Sequence, residues 1–306
     1  MIRVGTRGSK LAIWQADEVQ AALTLHGHSS SREVVSTFGD QNQQKPVYQY
    51  GIQGVFTKAL DIALINDEID IAVHSLKDVP TTLADGLVLA GVLPRGPIGD
   101  VVIKASPETV FSPDAPQTIA TSSIRRASNW LKQYPAHTIV PVRGNIQTRL
   151  RKLQEHTWDG MILAEAAVKR LNIWDEETME LLSWMLPAPS QGIVGIICRE
   201  EDSKTRNRIN AISDSLTMEQ AMAERAFLQE IGAGCSAPIG TYASREGNTF
   251  RLSAEMTSPN GQIHLRQSWE TAQAETDLVK QWARTLLDAG ASTIIDQVKQ
   301  RSQDAG

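Results

Sequence analysis

IRVGTRGSKLAIWQA, residues Ile2 to Ala16, places a short β run directly before a helical segment, and this succession recurs along the chain. Apolar residues follow Ser9 at about helical spacing, which predicts a helix to Leu25 with one face to bury. Further β runs are EVVSTF and DIAVHS at residues 33–38 and 70–75, with a helical segment between them. This alternation predicts an α/β fold built on a parallel sheet.

Two segments rich in proline and glycine divide the chain. LPRGPIG (Leu93–Gly99) interrupts the first α/β series and MLPAPSQG (Met185–Gly192) ends a second one, so each predicts a crossing between domains. The single β run IVGIICRE after the second crossing indicates that the chain returns to the first lobe. From about Met218, a helix, three β runs and a C-terminal helical region predict a small α+β domain. The predicted domains are residues 1–94 with 193–212, residues 99–188 and residues 216–306.

The charge and the cysteines argue against several classes of protein. The 306 residues carry a net charge of −5, whereas a general nucleic-acid binder presents a basic surface. Charged residues near the N-terminus leave no room for the apolar core of a secretory signal, and the longest apolar runs fall far short of the ~20 residues that span a membrane. Cys198 and Cys235 form no CxxC pair, which fits a reducing compartment. We therefore expect a cytoplasmic protein without nucleic-acid or membrane partners.

AVHSLKDVP (Ala72–Pro80) is a candidate catalytic segment, because it places polar side chains at the carboxyl end of a predicted strand. Open α/β sheets usually bind ligands at that edge. Asp78, next to Lys77, can move protons or stabilise a developing cation. Asp78 can equally be a turn-forming residue before Val-Pro, and His74 is expected to be a core histidine.

Arginines near hydroxyl side chains mark candidate anion sites. VGTRGSKLAIWQA and IATSSIRRASNWL each lead from a strand through small hydroxylated residues into a helix with arginine near its start. Exposed N–H groups at such helix starts, with a nearby cation, can bind an anion, but ordinary capping by serine explains either segment equally well. Several converging arginines would suit a ligand with many carboxylates, since arginine binds carboxylates bidentately.

GAGCSAPIG (Gly232–Gly240) surrounds Cys235 with small residues that offer the thiol little burial. The thiol can be a small buried hydrophobe, a nucleophile or a covalent attachment point. A nucleophile would want a base, and the neighbouring sequence contains no histidine. Sequence motifs for P-loop nucleotide hydrolysis, zinc proteolysis and α/β-hydrolase chemistry are absent.

Taken together, these motifs resemble the porphobilinogen deaminase family of tetrapyrrole biosynthesis. The resemblance runs through GTRGSKLAIWQA, DIAVHSLKDVPT, IATSSIRRA, VRGNIQTRL, LAEAAVKRL, PAPSQGIVGI and AERAFLQEIGAGCSAPIGTYA, in that family's order. It implies two periplasmic-binding-protein-like α/β lobes around a cleft and a small C-terminal α+β domain. It also implies a transferase that deaminates four porphobilinogen molecules and condenses them head to tail into hydroxymethylbilane, on the route to porphyrins and haem. We expect this transferase to act as a monomer.

The resemblance implies roles for individual residues. Asp78 matches the catalytic carboxylate, and Cys235 matches the thiol that holds a dipyrromethane cofactor by a thioether. The positions implied to bind that cofactor are Arg7, Ser9, Lys77, Ser123, Arg125, Arg126 and Arg143. The positions implied to bind substrate are Arg149, Arg170 and Gln191, and no metal is expected.

The chain departs from the family pattern in GIQGVF (Gly51–Phe56), where Gln53 replaces a typical lysine. Gln49 also falls where some members carry a lysine. An amide can hydrogen-bond a carboxylate but brings no charge. The alternative hypothesis is therefore a non-catalytic two-lobed binding protein for a carboxylated pyrrole or another small anion. A third hypothesis is a transferase that uses Cys235 as its nucleophile.

Overall fold

The computed structural model describes residues 1–36, 57–232 and 237–304. Its strands are β1 (Ile2–Thr6), β2 (Ser30–Val34), β3 (Ile71–Ser75), β4 (Leu87–Val92), β5 (Asp100–Lys104), β6 (Thr118–Ala120), β7 (Thr138–Val140), β8 (Gly160–Ala164), β9 (Met179–Leu181), β10 (Val194–Arg199), β11 (Ile239–Glu246), β12 (Thr249–Thr257) and β13 (His264–Thr271). Its α-helices are α1 (Lys10–Leu25), α2 (Lys58–Ile65), α3 (Ile124–Gln133), α4 (Ile146–Glu155), α5 (Glu165–Arg170), α6 (Ser203–Ile212), α7 (Ser215–Ile231), α8 (Thr276–Leu286) and α9 (Ser292–Asp304). A 3₁₀ turn lies at Leu76–Asp78 and a π turn at Leu287–Ala291.

The first lobe is a five-stranded sheet in the order β2-β1-β3-β10-β4. β2, β1 and β3 are parallel, but β10 runs antiparallel to both of its neighbours. β1, β2 and β3 therefore confirm the predicted parallel sheet, and β10, which enters from the second lobe, adds an antiparallel strand to it. The predicted strand at 33–38 starts too late. β2 begins at Ser30, because the parallel register places Ser30 opposite Ile2.

The second lobe repeats this arrangement in a five-stranded sheet of order β7-β6-β8-β5-β9. β7, β6 and β8 are parallel, whereas β5, which follows the first crossing, runs antiparallel to β8. In both sheets, the strand that arrives from the other lobe starts at the carboxyl edge of the parallel strands. Val194 thus pairs with Ser75, and Asp100 pairs with Ala164. Both lobes consequently turn their ligand-binding edges toward the crossings.

The two crossings lie side by side. The backbone N–H of Gly96 donates to the carbonyl of Gly192 at 3.1 Å. Gly192 has φ +86°, and a Cβ there would lie 2.7 Å from the carbonyl oxygens of Gly96 and Pro97. Only glycine fits this close approach without moving the backbone.

The third part is the antiparallel sheet β11-β12-β13, covered by α7 and α8. Phe227, Phe250 and Leu286 are completely buried between these layers. α7 ends at Ile231 and is capped by Gly232, which has a left-handed φ of 70° and directly precedes the segment 233–236 that contains Cys235. Two α/β lobes and a C-terminal α+β part confirm the predicted fold class, whereas the domain limits given above stay a prediction.

Glu224, on α7, joins all three parts of the chain. Its fully buried carboxylate accepts hydrogen bonds from Arg95 in the first crossing, at 2.7 and 3.2 Å. It also accepts from the backbone N–H of Ser190 in the second crossing at 2.5 Å and from that of Ala243 in β11 at 2.7 Å. Each oxygen therefore has two donors, which compensates the carboxylate for its loss of water.

Candidate functional site

Asp78 ends the 3₁₀ turn that follows β3, at the carboxyl edge of the first sheet, and its side chain is exposed. The turn is held in place because Leu76 is buried and its N–H donates to the Ile193 carbonyl at 3.0 Å. Asp78 thus lies in a turn and also at the ligand-binding edge of the sheet, so its interpretation as a turn residue does not exclude its interpretation as a catalytic carboxylate.

Arg225, on α7, holds the chain that follows Asp78. Its guanidinium donates to the carbonyls of Val79, Pro80 and Thr81 at 3.1, 2.6 and 3.2 Å. The C-terminal part of the chain thus fixes the turn that carries the candidate catalytic carboxylate. Sequence reasoning missed Arg225. The signal available was its place in AERAFL, ten residues before Cys235.

Arg125 and Arg126, at the start of α3, lie beside the fully buried Asp100. Arg125 Nη1 lies 2.7 Å from one carboxylate oxygen, and Arg126 Nη2 lies 2.8 Å from the other. The two guanidinium charges hold the pKa of Asp100 well below its usual range, although burial alone would raise that pKa. Sequence reasoning missed Asp100 as well. A carboxylate at the first position of the apolar run DVVIK was the available signal.

Gln191 joins Lys77 to this cluster. Its fully buried side-chain oxygen accepts from Lys77 Nζ at 3.1 Å. Its side-chain nitrogen lies 2.7, 2.9 and 3.1 Å from the carbonyls of Ile98 and Gly99 and from Asp100 Oδ1. Burial and the nearby Arg126 lower the pKa of Lys77 to about 8. Lys77 is therefore still a cation at neutral pH, but the carboxylates near it do not fully offset its burial and the neighbouring cations.

Arg149, on α4, faces the same space from the second lobe. Its Nε donates to the Gly144 carbonyl at 2.8 Å. Burial and the charges of Arg126 and Arg143 lower the pKa of Arg149 to about 10, while the charge of Asp78 opposes that shift. Asp78 of the first lobe and Arg149 of the second are thus within electrostatic reach of each other.

Ser9 and Ser123 cap helices. Ser9 Oγ accepts from the N–H of Ala12 at 3.2 Å, and Ser123 Oγ accepts from that of Arg126 at 3.4 Å. The capping interpretation of both segments is therefore correct. Arg126 lies in the first turn of α3, and Arg7 lies near enough to His74 for its charge to lower the pKa of that histidine.

Arg170 bridges the two lobes. It donates from Nη2 to the Gly192 carbonyl at 2.6 Å, and its guanidinium lies over the Trp14 ring at 5.0 Å from the centroid. With Lys77 and Ser75, Arg170 also lines a narrow pocket between the lobes. His74 is buried, as expected, and its pKa is lowered to about 4 by burial and by the charge of Arg7.

Three residues singled out from the sequence lie outside the described residues: Gln49, Gln53 and Cys235. Within the described ranges, no helix is long and apolar enough to cross a membrane. The same ranges contain no group of three His, Cys, Asp or Glu side chains placed to hold a metal ion.

Comparison with known proteins identifies the family of this chain. The model of the porphobilinogen deaminase dipyrromethane cofactor binding domain matches residues 2–207, and that of the porphobilinogen deaminase C-terminal domain matches residues 218–288. The chain belongs to the porphobilinogen deaminase family. It is 39% identical to the porphobilinogen deaminase of Chlorobium phaeobacteroides over 97% of each chain. It is also 39% identical to the chloroplastic porphobilinogen deaminase of Pisum sativum, over 92% of this chain and 78% of that protein.

A probable porphobilinogen deaminase of Methanocaldococcus jannaschii is 41% identical over 79% of this chain and 82% of that protein. Among solved structures, the chain is similar to the VFT2 domain of Bordetella pertussis BvgS, with a TM-score of 0.42 and 14% identity over 69% of this chain and 85% of that one.

The charges of the cleft fit the carboxylated dipyrromethane for which the family's domain is named. Four cations, Lys77, Arg125, Arg126 and Arg149, stand near two carboxylates, those of Asp78 and Asp100. Arg125 Nε is buried and has no hydrogen-bond partner among the residues that the structure describes. A porphobilinogen deaminase ligand with several carboxylates would supply the missing negative charge.

Proposed function

We propose that this chain is a porphobilinogen deaminase that uses Asp78 as its catalytic carboxylate and the cations of the second lobe as carboxylate ligands. The observation that carries the proposal is the position of Asp78, which stands exposed at one lobe's ligand edge within electrostatic reach of Arg126 and Arg149. The substrate is porphobilinogen. Four condensations on the primer, each with loss of ammonia, are followed by hydrolysis of the bond to the primer, and water thereby releases hydroxymethylbilane.

The covalent group belongs to Cys235, in the segment between α7 and β11. The dipyrromethane supplies the free α-carbon to which the first substrate is joined. The chain's own part is to bind carboxylates. Lys77 and Arg149 offer single charges from opposite lobes, while Arg125 and Arg126 stand pre-oriented against Asp100. Pre-oriented groups lose less conformational freedom on binding than flexible ones do.

Asp78 supplies negative charge where the reaction develops positive charge. Loss of ammonia from porphobilinogen leaves an electron-poor pyrrole, and a carboxylate beside its nitrogen lowers the energy of that cation. The same carboxylate can accept the proton that the α-carbon loses when the new carbon–carbon bond has formed. The Arg225 contacts hold the turn, so Asp78 keeps its place while the product grows.

The test combines intact mass with turnover. We expect the purified protein to carry an adduct with the mass of a dipyrromethane, to lose it in Cys235→Ser, and to release ammonia from porphobilinogen. Asp78→Asn is expected to keep the adduct and to lose turnover by about 100-fold or more, the scale of one electrostatic catalytic group. Asp85→Asn, an exposed carboxylate a few residues further on, is the matched control and should leave turnover unchanged.

A wild type that binds porphobilinogen but releases no ammonia would instead support the non-catalytic binding protein. An unmodified mass with full turnover would leave Cys235 without its proposed role. Equal activity of Asp78→Asn and Asp85→Asn would remove Asp78 from the mechanism.

A further inference from the structure

A chain of hydrogen bonds joins the C-terminal sheet to helix α3, away from the cleft. Lys132 Nζ lies 2.9 Å from His264 Nε2, and His264 Nδ1 lies 3.0 Å from Thr257 Oγ1. Thr257 Oγ1 donates to Asn129 Oδ1 at 3.0 Å, and Asn129 Nδ2 donates to the Arg125 carbonyl at 3.1 Å. β12 and β13 are thus tied to the first turn of α3.

Each group in this hydrogen-bond chain can take only one role, as donor or as acceptor, toward its neighbour. A lysine ammonium can only donate, so His264 Nε2 accepts and the proton of the imidazole is on Nδ1. Nδ1 therefore donates to Thr257, whose own proton goes to Asn129 Oδ1. This order requires a neutral His264, since a protonated ring would have no lone pair left for Lys132.

The surroundings keep His264 neutral. Burial, together with the charges of Lys132 on α3 and Arg266 on β13, lowers the pKa of His264. The opposing carboxylate is Glu255 on β12, which is completely buried, 4.0 Å from His264 Nε2 and 3.5 Å from Arg266 Nη1. Burial raises the pKa of Glu255, while Arg266, Lys132 and Arg125 oppose that shift. Cations therefore outnumber the one carboxylate around the ring.

We propose that Thr257, Asn129 and His264 are positioning residues that set the place of the cysteine-bearing C-terminal domain relative to Arg125 and Arg126. α3 is a single helix of ten residues, about 15 Å long, so a contact at Asn129 and Lys132 also orients its first turn. Thr257 and Asn129 are both buried, and the connection is therefore shielded from water. The inference rests on the proposed function, because it concerns how a primer on Cys235 meets the arginine cluster.

Two substitutions at Thr257 test the hydrogen-bond chain. Thr257→Val keeps the shape and removes the hydroxyl, whereas Thr257→Ser keeps the hydroxyl and removes a methyl group. We expect kcat to fall about fivefold in the valine variant, the factor that one neutral hydrogen bond is worth, with KM for porphobilinogen unchanged. The serine variant should keep wild-type kcat, and Ser253→Ala, on the same strand, is the control.

Intact mass of each variant separates this inference from the proposed function. Thr257→Val is expected to carry the full adduct, so that its defect lies in turnover and not in cofactor loading. A serine variant as slow as the valine variant would show that packing matters rather than the hydroxyl, and the inference would be overturned. A valine variant with wild-type kcat would overturn it too.

Lys132→Met removes the hydrogen bond at the exposed end of the hydrogen-bond chain and does not disturb the buried groups. Because Lys132 lowers the pKa of His264, its removal raises that pKa, and His264 then becomes charged at a higher pH. We expect the acid limb of the kcat profile to move to higher pH in Lys132→Met. A purely structural contact would lower kcat equally at all pH values, and that result would also contradict the inference.

Discussion

Glu224→Gln tests whether the buried ion pair at the junction holds the three parts of the chain together. The carboxylate is completely buried and receives four N–H donors, two from Arg95 and one each from Ser190 and Ala243. An amide has one oxygen and one NH₂ group. The substitution therefore points new donors at existing donors and leaves the Arg95 guanidinium buried without its counter-charge.

The expected cost follows from these contacts. Removing one partner of a buried pair destabilises a protein by about 3–5 kcal/mol, because the remaining charge loses its compensation. At about 2 °C per kcal/mol for a chain of this size, the Tm should fall by roughly 6–10 °C. Urea denaturation and a thermal scan of the same protein measure both values.

The matched control is Glu219→Gln on the same helix, α7. Glu219 pairs with Arg245, but the two side chains are 30% and 22% exposed, so solvent screens the pair. Its loss should cost less than about 1 kcal/mol. The double variant Arg95→Met with Glu224→Leu should be more stable than Glu224→Gln, since no charge stays buried. Equal losses at the two glutamates would refute this account of the junction.

Three further predictions concern pH, the crossings and Lys77. The pKa of His74 is about 4 in the folded protein, so the free energy of unfolding should fall as the pH drops from 6.5 toward 4. About 3 kcal/mol of this fall should be absent in His74→Met, which urea titrations at several pH values will measure. Gly192→Ala should cost about 2–4 kcal/mol, measured by urea denaturation, because its Cβ meets two carbonyl oxygens; Gly27→Ala, with φ +76° and open space, should cost about 1. Lys77 loses its charge above about pH 8, so KM should rise there in the wild type and stay level in Lys77→Arg, which steady-state kinetics across pH will show.

The sequence predicts local features of this fold well and long-range features poorly. The helix after Ser9 and the two crossings depend on residues that are neighbours in the chain, and they lie where the periodicity and the prolines indicate. The antiparallel direction of β5 and β10 depends on which lobe each strand arrives from. No local pattern records that direction, because a fully buried strand reads the same in both orientations.

The candidate site shows the same limit. Asp78 could be singled out because a strand end and a turn mark it locally. For Asp100, Glu224 and Arg225 the sequence shows a charged residue but not its partners. Those partners lie 25 or more residues away, with the exception of the contact from Glu224 to Ala243. A lone acidic or basic residue in an apolar segment gives no hint of the partner that makes its burial tolerable.

The pKa values in the cleft show that the carboxylates near Lys77 and Arg149 compensate these two cations only in part before any ligand binds. Asp100 compensates Arg125 and Arg126 directly, and its own pKa is held low in return. Lys77 and Arg149 instead have pKa values lowered to about 8 and about 10, because burial and neighbouring cations outweigh the carboxylates near them. A ligand carboxylate would reverse the balance at both residues, since an opposite charge favours the charged form.

Ligand binding at about pH 8 should therefore be accompanied by uptake of a proton at Lys77, and calorimetry in buffers of different ionisation enthalpy would detect it. The same uptake would be missing in Lys77→Met, and its persistence in that variant would place the titrating group elsewhere.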